Sequence, residues 1–331
     1  MSADKLIVTA SPHIRSLDST PRIMWHVVAS LVPVVLSAAF FFGASALLQV
    51  VTAVAVALLT ERATGKGGAI ADGSATITGL LLGLSLPAGF PLWMTALGAA
   101  FAIVFGKQIW GGLGQNVFNP ALVGRAFLQG AFPVAITTWP SVGGSFFTLR
   151  GDLFAIPFTH PLPNAVTSAT PLGLLKFEGK GTALTDLVIG STGGSLGETA
   201  ALVILAGGAY LVWRGYLNWR IPVSVIATVM ALSAMLHFVD ATKPDPMFMV
   251  FSGGLMLGAV YMATDMVTSP LTNLGKWVFG IGIGILVVVI RVWGGLPEGV
   301  MYAILFMNAF TPFINRATQP RVFGTPLRSA A

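Results

Sequence analysis

Ten apolar runs dominate this chain, at residues 24–43, 45–60, 74–87, 91–106, 117–135, 197–213, 219–239, 247–263, 275–293 and 297–315. A bilayer core asks for about 20 apolar residues per helical span, so a chain built mostly of such runs is expected to fold as an all-α polytopic membrane protein. Only 9% of its 331 residues are charged, against about 25% in an ordinary soluble domain. A soluble globule is excluded. Several runs are short or interrupted by Gly and Pro, notably over 76–87, 119–133 and 252–270. Non-helical backbone at membrane depth survives only where protein or a wet cavity satisfies its polar groups. These broken helices are expected to mark the functional interior.

The pI near 9.9 does not point to nucleic acid, because in such a chain Lys and Arg set orientation. With Met1 cytoplasmic, twelve of the eighteen fall at cytoplasmic ends: Lys5, Arg15, Arg22, Arg62, Lys66, Lys107, Arg214, Arg220, Lys276, Arg316, Arg321 and Arg328. Five fall on the other side, Arg150, Lys176, Lys180, Lys243 and Arg291, and Arg125 lies inside a span. Both termini are therefore expected in the cytoplasm and the long polar stretch 136–196 outside. No removable signal peptide is read in the mixed-charge residues 1–22.

An internal echo sharpens the architecture. Trp110-Gly111-Gly112-Leu113 recurs as Trp293-Gly294-Gly295-Leu296, and the same offset of 183 residues carries Pro87 to Pro270. In Gly- and Leu-rich sequence chance can produce such a likeness, but two registers agreeing without a gap favour duplication. The matched tryptophans fall at opposite ends of the expected bundle, as two inverted repeats of five helices require. The chain divides into a cytoplasmic segment 1–23, a first five-helix repeat 24–135, an external loop 136–196, a second five-helix repeat 197–315 and a cytoplasmic tail 316–331. A binding site at the repeat interface is expected.

With no cysteine, disulfides, thiolate zinc sites and Cys-ligated iron–sulfur clusters are excluded. Any redox chemistry needs an organic group. The four histidines lack ligand spacing, and most tryptophans fall at span ends, as an interfacial aromatic belt explains. Polar residues in or beside the spans are functional candidates because burying them in lipid is expensive. Arg125 either meets a phosphate, a quinone or a lipid head group, or pairs with an acid such as Asp265. Asn116 and Asn119 offer donors and acceptors to the ring edge of a bound cofactor, or cap a broken helix. Asp265 and Asp72 are candidates for an ion path, with helix capping the plainer role for Asp72. In the external loop, the small hydroxyl-rich segment Asn164-Ala165-Val166-Thr167-Ser168-Ala169-Thr170-Pro171 reads as a polar turn, or as a place where a large phosphorylated group approaches the backbone.

Taken in order, Ser11-Pro12-His13-Ile14-Arg15, Thr78-Gly79-Leu80-Leu81-Leu82, Gly111-Gly112-Leu113-Gly114-Gln115-Asn116-Val117-Phe118-Asn119-Pro120-Ala121, Met262-Ala263-Thr264-Asp265-Met266-Val267-Thr268-Ser269-Pro270 and Pro297-Glu298-Gly299 resemble the D subunits of Rnf electron transport complexes. The likeness covers nearly the whole chain and extends to the B subunit of the sodium-pumping NADH:quinone reductase. It implies a bacterial inner-membrane subunit of an ion-translocating NADH/ferredoxin oxidoreductase. FMN would be held by a phosphoester on Thr170, installed by a flavin transferase, with Ser168 and Thr167 in the attachment segment. This sequence departs from the family's attachment pattern, with Asn164 for Asp, Thr167 for Ser and Ser168 for Gly. The likeness also implies a second, noncovalent flavin (riboflavin), the A, B, C, E and G subunits of an Rnf complex as partners, and electron exchange with the flavin-bearing G subunit on the external face. The chain has no Gly-rich dinucleotide fingerprint, so NADH and iron–sulfur chemistry fall to partners and the chain is not catalytic alone. The rival expectation is a solute or ion transporter or channel, because inverted repeats with broken helices also suit a carrier.

Overall fold

Capping chemistry decides where several helices begin. Asn119 stands before Pro120, and its Oδ1 accepts from the Ala121 and Leu122 amides at 3.0 and 3.4 Å; Asp245 does the same before Pro246. A side-chain oxygen satisfies amides that a helix start leaves orphaned, and Pro at the first helical position has no amide to lose. The structure is a computed structural model that describes residues 18–65, 69–157 and 169–320.

The first half comprises α1 (Thr20–Phe42), α2 (Ala44–Thr64), α3 (Ser74–Leu84), α4 (Leu92–Ile103), which runs on through a wide π turn Val104–Gln108, and α5 (Pro120–Ala131). The second comprises α6 (Ala201–Trp213), α7 (Arg220–Val239), α8 (Leu255–Leu257, extended by the π turn Gly258–Met262), α9 (Asn273–Trp293) and α10 (Val300–Ala317). The starts of α6, α8, α9 and α10 follow those of α1, α3, α4 and α5 by 181, 181, 181 and 180 residues, close to the offset read from sequence. Four helices among the described residues, α1, α2, α7 and α9, are long and apolar enough to cross a membrane. The runs at 74–87 and 247–263 are shorter as helices because they are broken: α3 stops before Pro87, and a short helix Pro246–Phe251 precedes α8.

The end where α1 starts, here the proximal end, gathers Asp18 against Tyr216 (2.9 Å), Trp25 against the Ala71 carbonyl, and Thr272 against Thr318. The start of α1 meets the finish of α6 through His26 Nδ1 and the Tyr210 hydroxyl, 2.7 Å apart, so these counterparts run antiparallel. At the opposite, distal end the Ala44 amide donates to the Phe146 carbonyl at 2.8 Å, and the backbone after α3 is satisfied by the Leu196 amide, which donates to the Leu86 carbonyl at 3.1 Å. Buried apolar side chains from both halves form one continuous core. Small residues let the helices approach: a Cβ on Gly79 of α3 would stand 2.5 Å from the Val54 Cα of α2, so only glycine allows this contact.

Candidate functional site

Two cavities lie at opposite ends of α5. The distal one has a volume of about 860 Å³ and is lined by Arg125, Trp139, Thr170, Glu198, Glu298 and Tyr302, among others. Cavities that hold a cofactor usually measure about 300–1,000 Å³, so a flavin-sized group fits. Thr170 borders it, half-buried, at the cap of the short turn Pro171–Gly173, where its Oγ1 accepts from the Gly173 amide at 3.1 Å. Accepting needs only a lone pair, so this bond does not consume the hydroxyl proton that a phosphoester would replace. Lys176, after that turn, donates to the carbonyls of Arg291 (3.0 Å), Gly294 (2.6 Å) and Leu296 (2.9 Å). A cation at the C-terminus of α9 is favoured by the helix dipole, and the bonds fasten the Thr170 turn to the second half. Burial pulls the Lys176 ammonium below the ordinary lysine pKa. Thr167 and Ser168 of the sequence reading, with Asn164, lie outside the described residues.

Arg125 projects from α5 into the same cavity and pairs with Glu298, Nη2 to Oε2 3.3 Å. Asp265, offered above as its partner, lies at the proximal end, on the other side of the bundle from Glu298. Glu298 also accepts from the Gly254 amide with its other oxygen, in the break before α8. On the other side of that break Arg291, buried, donates to the carbonyls of Met249 and Ser252. The interruption at 252–254 is therefore answered by one cation for its carbonyls and one anion for its amide. Gly253 bends there at φ +66, and a Cβ on it would stand 2.7 Å from Leu172 and 3.0 Å from Glu298. The broken helix and the Thr170 turn are packed against each other.

The proximal cavity is a narrow cleft of about 100 Å³ between the halves, lined by Ile23, Thr78 and Asn119 from the first and by Leu217, Tyr261 and Thr264 from the second, among others. Asn119 lines the cleft, yet its amide is already committed: besides capping α5 it donates from Nδ2 to the Met262 carbonyl at 3.1 Å. Asn116 donates to the Phe118 carbonyl at 3.2 Å and also bonds Asp265. Asp265 further accepts from the Thr268 hydroxyl at 3.1 Å and the Val267 amide at 3.4 Å, closing the turn after α8. Asp72 accepts from the Ser74 amide at 2.8 Å and hydroxyl at 2.6 Å, at the start of α3. The structure thus brings Thr170 and Arg125 together at one end, and Asn116, Asn119 and Asp265 at the other, with Asp72 nearby at Ser74.

Four participants escaped the sequence reading. Sequence position makes Lys107 and Arg291 loop-end charges, but both are buried. Lys107 is paired to Glu61. Glu198 and Glu298 sit in the distal cavity wall. The available signal was position: each is a charge at the margin of an apolar run, and partners such as Glu61, 46 residues from Lys107, and Arg125, 173 residues from Glu298, leave no local trace.

The profile of the NQR2, RnfD, RnfE family matches residues 7–324. The D subunit of the proton-translocating ferredoxin:NAD(+) oxidoreductase complex of Clostridium ljungdahlii is 42% identical over 96% of this chain and 96% of its own. Its counterpart in the Na(+)-translocating ferredoxin:NAD(+) oxidoreductase complex of Acetobacterium woodii is 40% identical over 98% and 97%. The corresponding subunit of the ion-translocating oxidoreductase complex of Pseudomonas paraeruginosa is 39% identical over 95% and 94%.

Proposed function

We infer the function from the premise that the chain belongs to the NQR2, RnfD, RnfE family, whose similar members are named as D subunits of ion-translocating complexes. It is a membrane subunit of a bacterial ion-translocating ferredoxin:NAD(+) oxidoreductase that relays electrons through FMN esterified to Thr170 and couples them to ion transport. The single observation that supports the relay is Thr170 at the rim of an 860 Å³ cavity with the half-buried Arg125 in its wall. A flavin bound there supplies one- and two-electron redox chemistry that the protein's own side chains lack.

The chain's residues do the holding. Thr170 is the anchor, the Lys176 bonds to the end of α9 fix the turn that carries it, and Arg125 offers a guanidinium to phosphate or to a reduced, anionic ring. Glu298 keeps that guanidinium in place when no anion competes for it. Orientation follows the charge bias, with both termini cytoplasmic, the Thr170 loop on the external side of the inner membrane and the flavin-bearing G subunit as its partner there. An ion path through Asp265 or Asp72 belongs to the proximal end, and a second, noncovalent flavin there requires the cleft of about 100 Å³ to widen.

Denaturing gel electrophoresis under ultraviolet light tests the anchor, with the chain made alongside its flavin transferase. The wild-type band fluoresces, Thr170→Ala is dark, and Thr170→Ser, which keeps both hydroxyl and cap, recovers fluorescence. A dark wild-type band removes the flavin relay and leaves the transporter or channel reading. Fluorescence that survives Thr170→Ala moves the anchor elsewhere.

A further inference from the structure

Glu61, Lys107, Ser74 and Asp72 form a connected chain of polar groups at the proximal end. Lys107 Nζ donates to Glu61 Oε1 and to Ser74 Oγ, and Ser74 Oγ donates to Asp72 Oδ1 at 2.6 Å. The side chains of Lys107 and Glu61 are 3% and 0% exposed, which excludes water from the pair. Asp72 is half-buried beside the exposed Ala71, and Lys107 and Ser74 line the cleft between the halves.

Three features set this cluster apart from a closed ion pair. Two carboxylates face one ammonium, so the group carries one negative charge in excess. Glu61 Oε2 is buried with no hydrogen-bond partner, a costly state for a carboxylate oxygen and a tolerable one for a protonated carboxyl. Glu61 also sits in the last turn of α2, where the helix dipole disfavours negative charge. Lys107 itself is carried on the π turn after α4, a geometry that recurs at functional sites. Among the described residues, the charged groups that act on Glu61 from the packed elements are Lys107 and Asp72; Arg62 beside it is exposed.

We propose that these four residues are a proton-binding site that exchanges one proton between the proximal surface and Glu61, beside the cleft at the repeat interface. The proton arrives on Asp72. With Asp72 protonated, the Ser74 hydroxyl turns from Asp72 toward Lys107; Lys107 gives a proton to Glu61, and as the resulting amine takes the Ser74 proton, Ser74 Oγ takes the one on Asp72. At the end Asp72 is again a carboxylate, Ser74 a hydroxyl and Lys107 an ammonium, with the added proton on Glu61 and no electrons moved. A turn of the Glu61 carboxyl then presents its bare oxygen to Lys107 and places the O–H where Oε2 had no partner. The site is independent of the flavin reading, since it holds whether or not Thr170 is esterified.

Infrared spectroscopy of the purified complex, titrated across neutral pH in H2O and D2O, tests it. The difference between wild type and Glu61→Gln is expected to contain a protonated-carboxyl stretch that shifts in D2O and gives way to carboxylate bands as pH rises. After a pH jump, Asp72→Asn is expected to slow the appearance of that band by about a hundredfold, the scale of losing a positioned proton donor. A difference spectrum with carboxylate bands alone at every neutral pH overturns the site, because a fixed ion pair takes no proton there. An unchanged rate in Asp72→Asn overturns the path through Asp72. Should Glu61→Gln fail to assemble, Glu61→Gln/Lys107→Met removes both charges of the buried pair and serves as the reference, read by the same bands.

Discussion

At Arg291 a single side chain answers for the carbonyls of a broken helix. Its guanidinium is buried and donates to Met249 and Ser252, with Glu298 and Glu198 as the nearby acids. Replacing it by Met leaves the Met249 and Ser252 carbonyls without their donor and removes a positive charge from beside Glu298 and Glu198. Leaving a buried acceptor unsatisfied costs about 1–3 kcal/mol, and two are left here, so Arg291→Met is expected to release this subunit from the detergent-solubilised complex at a clearly lower temperature. A melting profile equal to wild type would show that the break is satisfied without Arg291. The sequence reading placed Arg291 among the external loop charges and Lys107 among the cytoplasmic ones. A charge next to an apolar run looks the same whether it faces water or turns inward, and only the fold reveals that Glu61 and the carbonyls of 249 and 252 are waiting for it. Arg125 was legible as a candidate because it sits in mid-run, though its partner Glu298, 173 residues away, was not.

Helix α5 is the element that joins the two cavities, because it is tied to the second half at two points. At its start Asn119 donates to the Met262 carbonyl, and six residues on, about 9 Å along the axis, Arg125 reaches Glu298 and through it Gly254. α8 lies between Gly254 and Met262, so both of its ends are held by α5, one of them through Glu298. Asn119→Asp separates the two duties of that residue. Asp caps a helix as well as Asn does, but it has no donor for Met262, whose carbonyl loses its partner at a cost of about 1–3 kcal/mol. Asn119→Ala loses the cap as well, about 1 kcal/mol more. Thermal unfolding of the purified complex is expected to rank wild type above both Asn119→Asp and Asn119→Ala. Equal melting for wild type and Asn119→Asp would mean that the tie to Met262 adds no stability. The breaks themselves were legible, since Gly and Pro interrupt the apolar runs at 76–87 and 252–270. What fills them was not, because each filler lies between 39 and 110 residues away along the chain.

On the scale of the whole molecule, the ten apolar runs and the duplicated spacing were readable because bilayer thickness and helical rise leave few other solutions for such a chain. Orientation is a different kind of inference, resting on a count of charges in which Lys107 and Arg291 are now seen to be buried. Setting both aside leaves eleven basic residues against four, and the bias keeps its sign. The absence of native cysteine allows a direct check. Gly181 and Thr242 are exposed on distal loops, and Gln115 and Gln319 on proximal ones, so each can be replaced singly by Cys without disturbing the core. A membrane-impermeant maleimide applied to intact spheroplasts is expected to label Gly181→Cys and Thr242→Cys. Gln115→Cys and Gln319→Cys are expected to react only after the membrane is opened. The reverse pattern would turn the molecule over, carrying the Thr170 cavity into the cytoplasm and the Glu61–Lys107 cluster to the external side. Labelling of Gly181→Cys and Thr242→Cys from different sides would instead break the bundle topology, because both loops belong to one end of the fold.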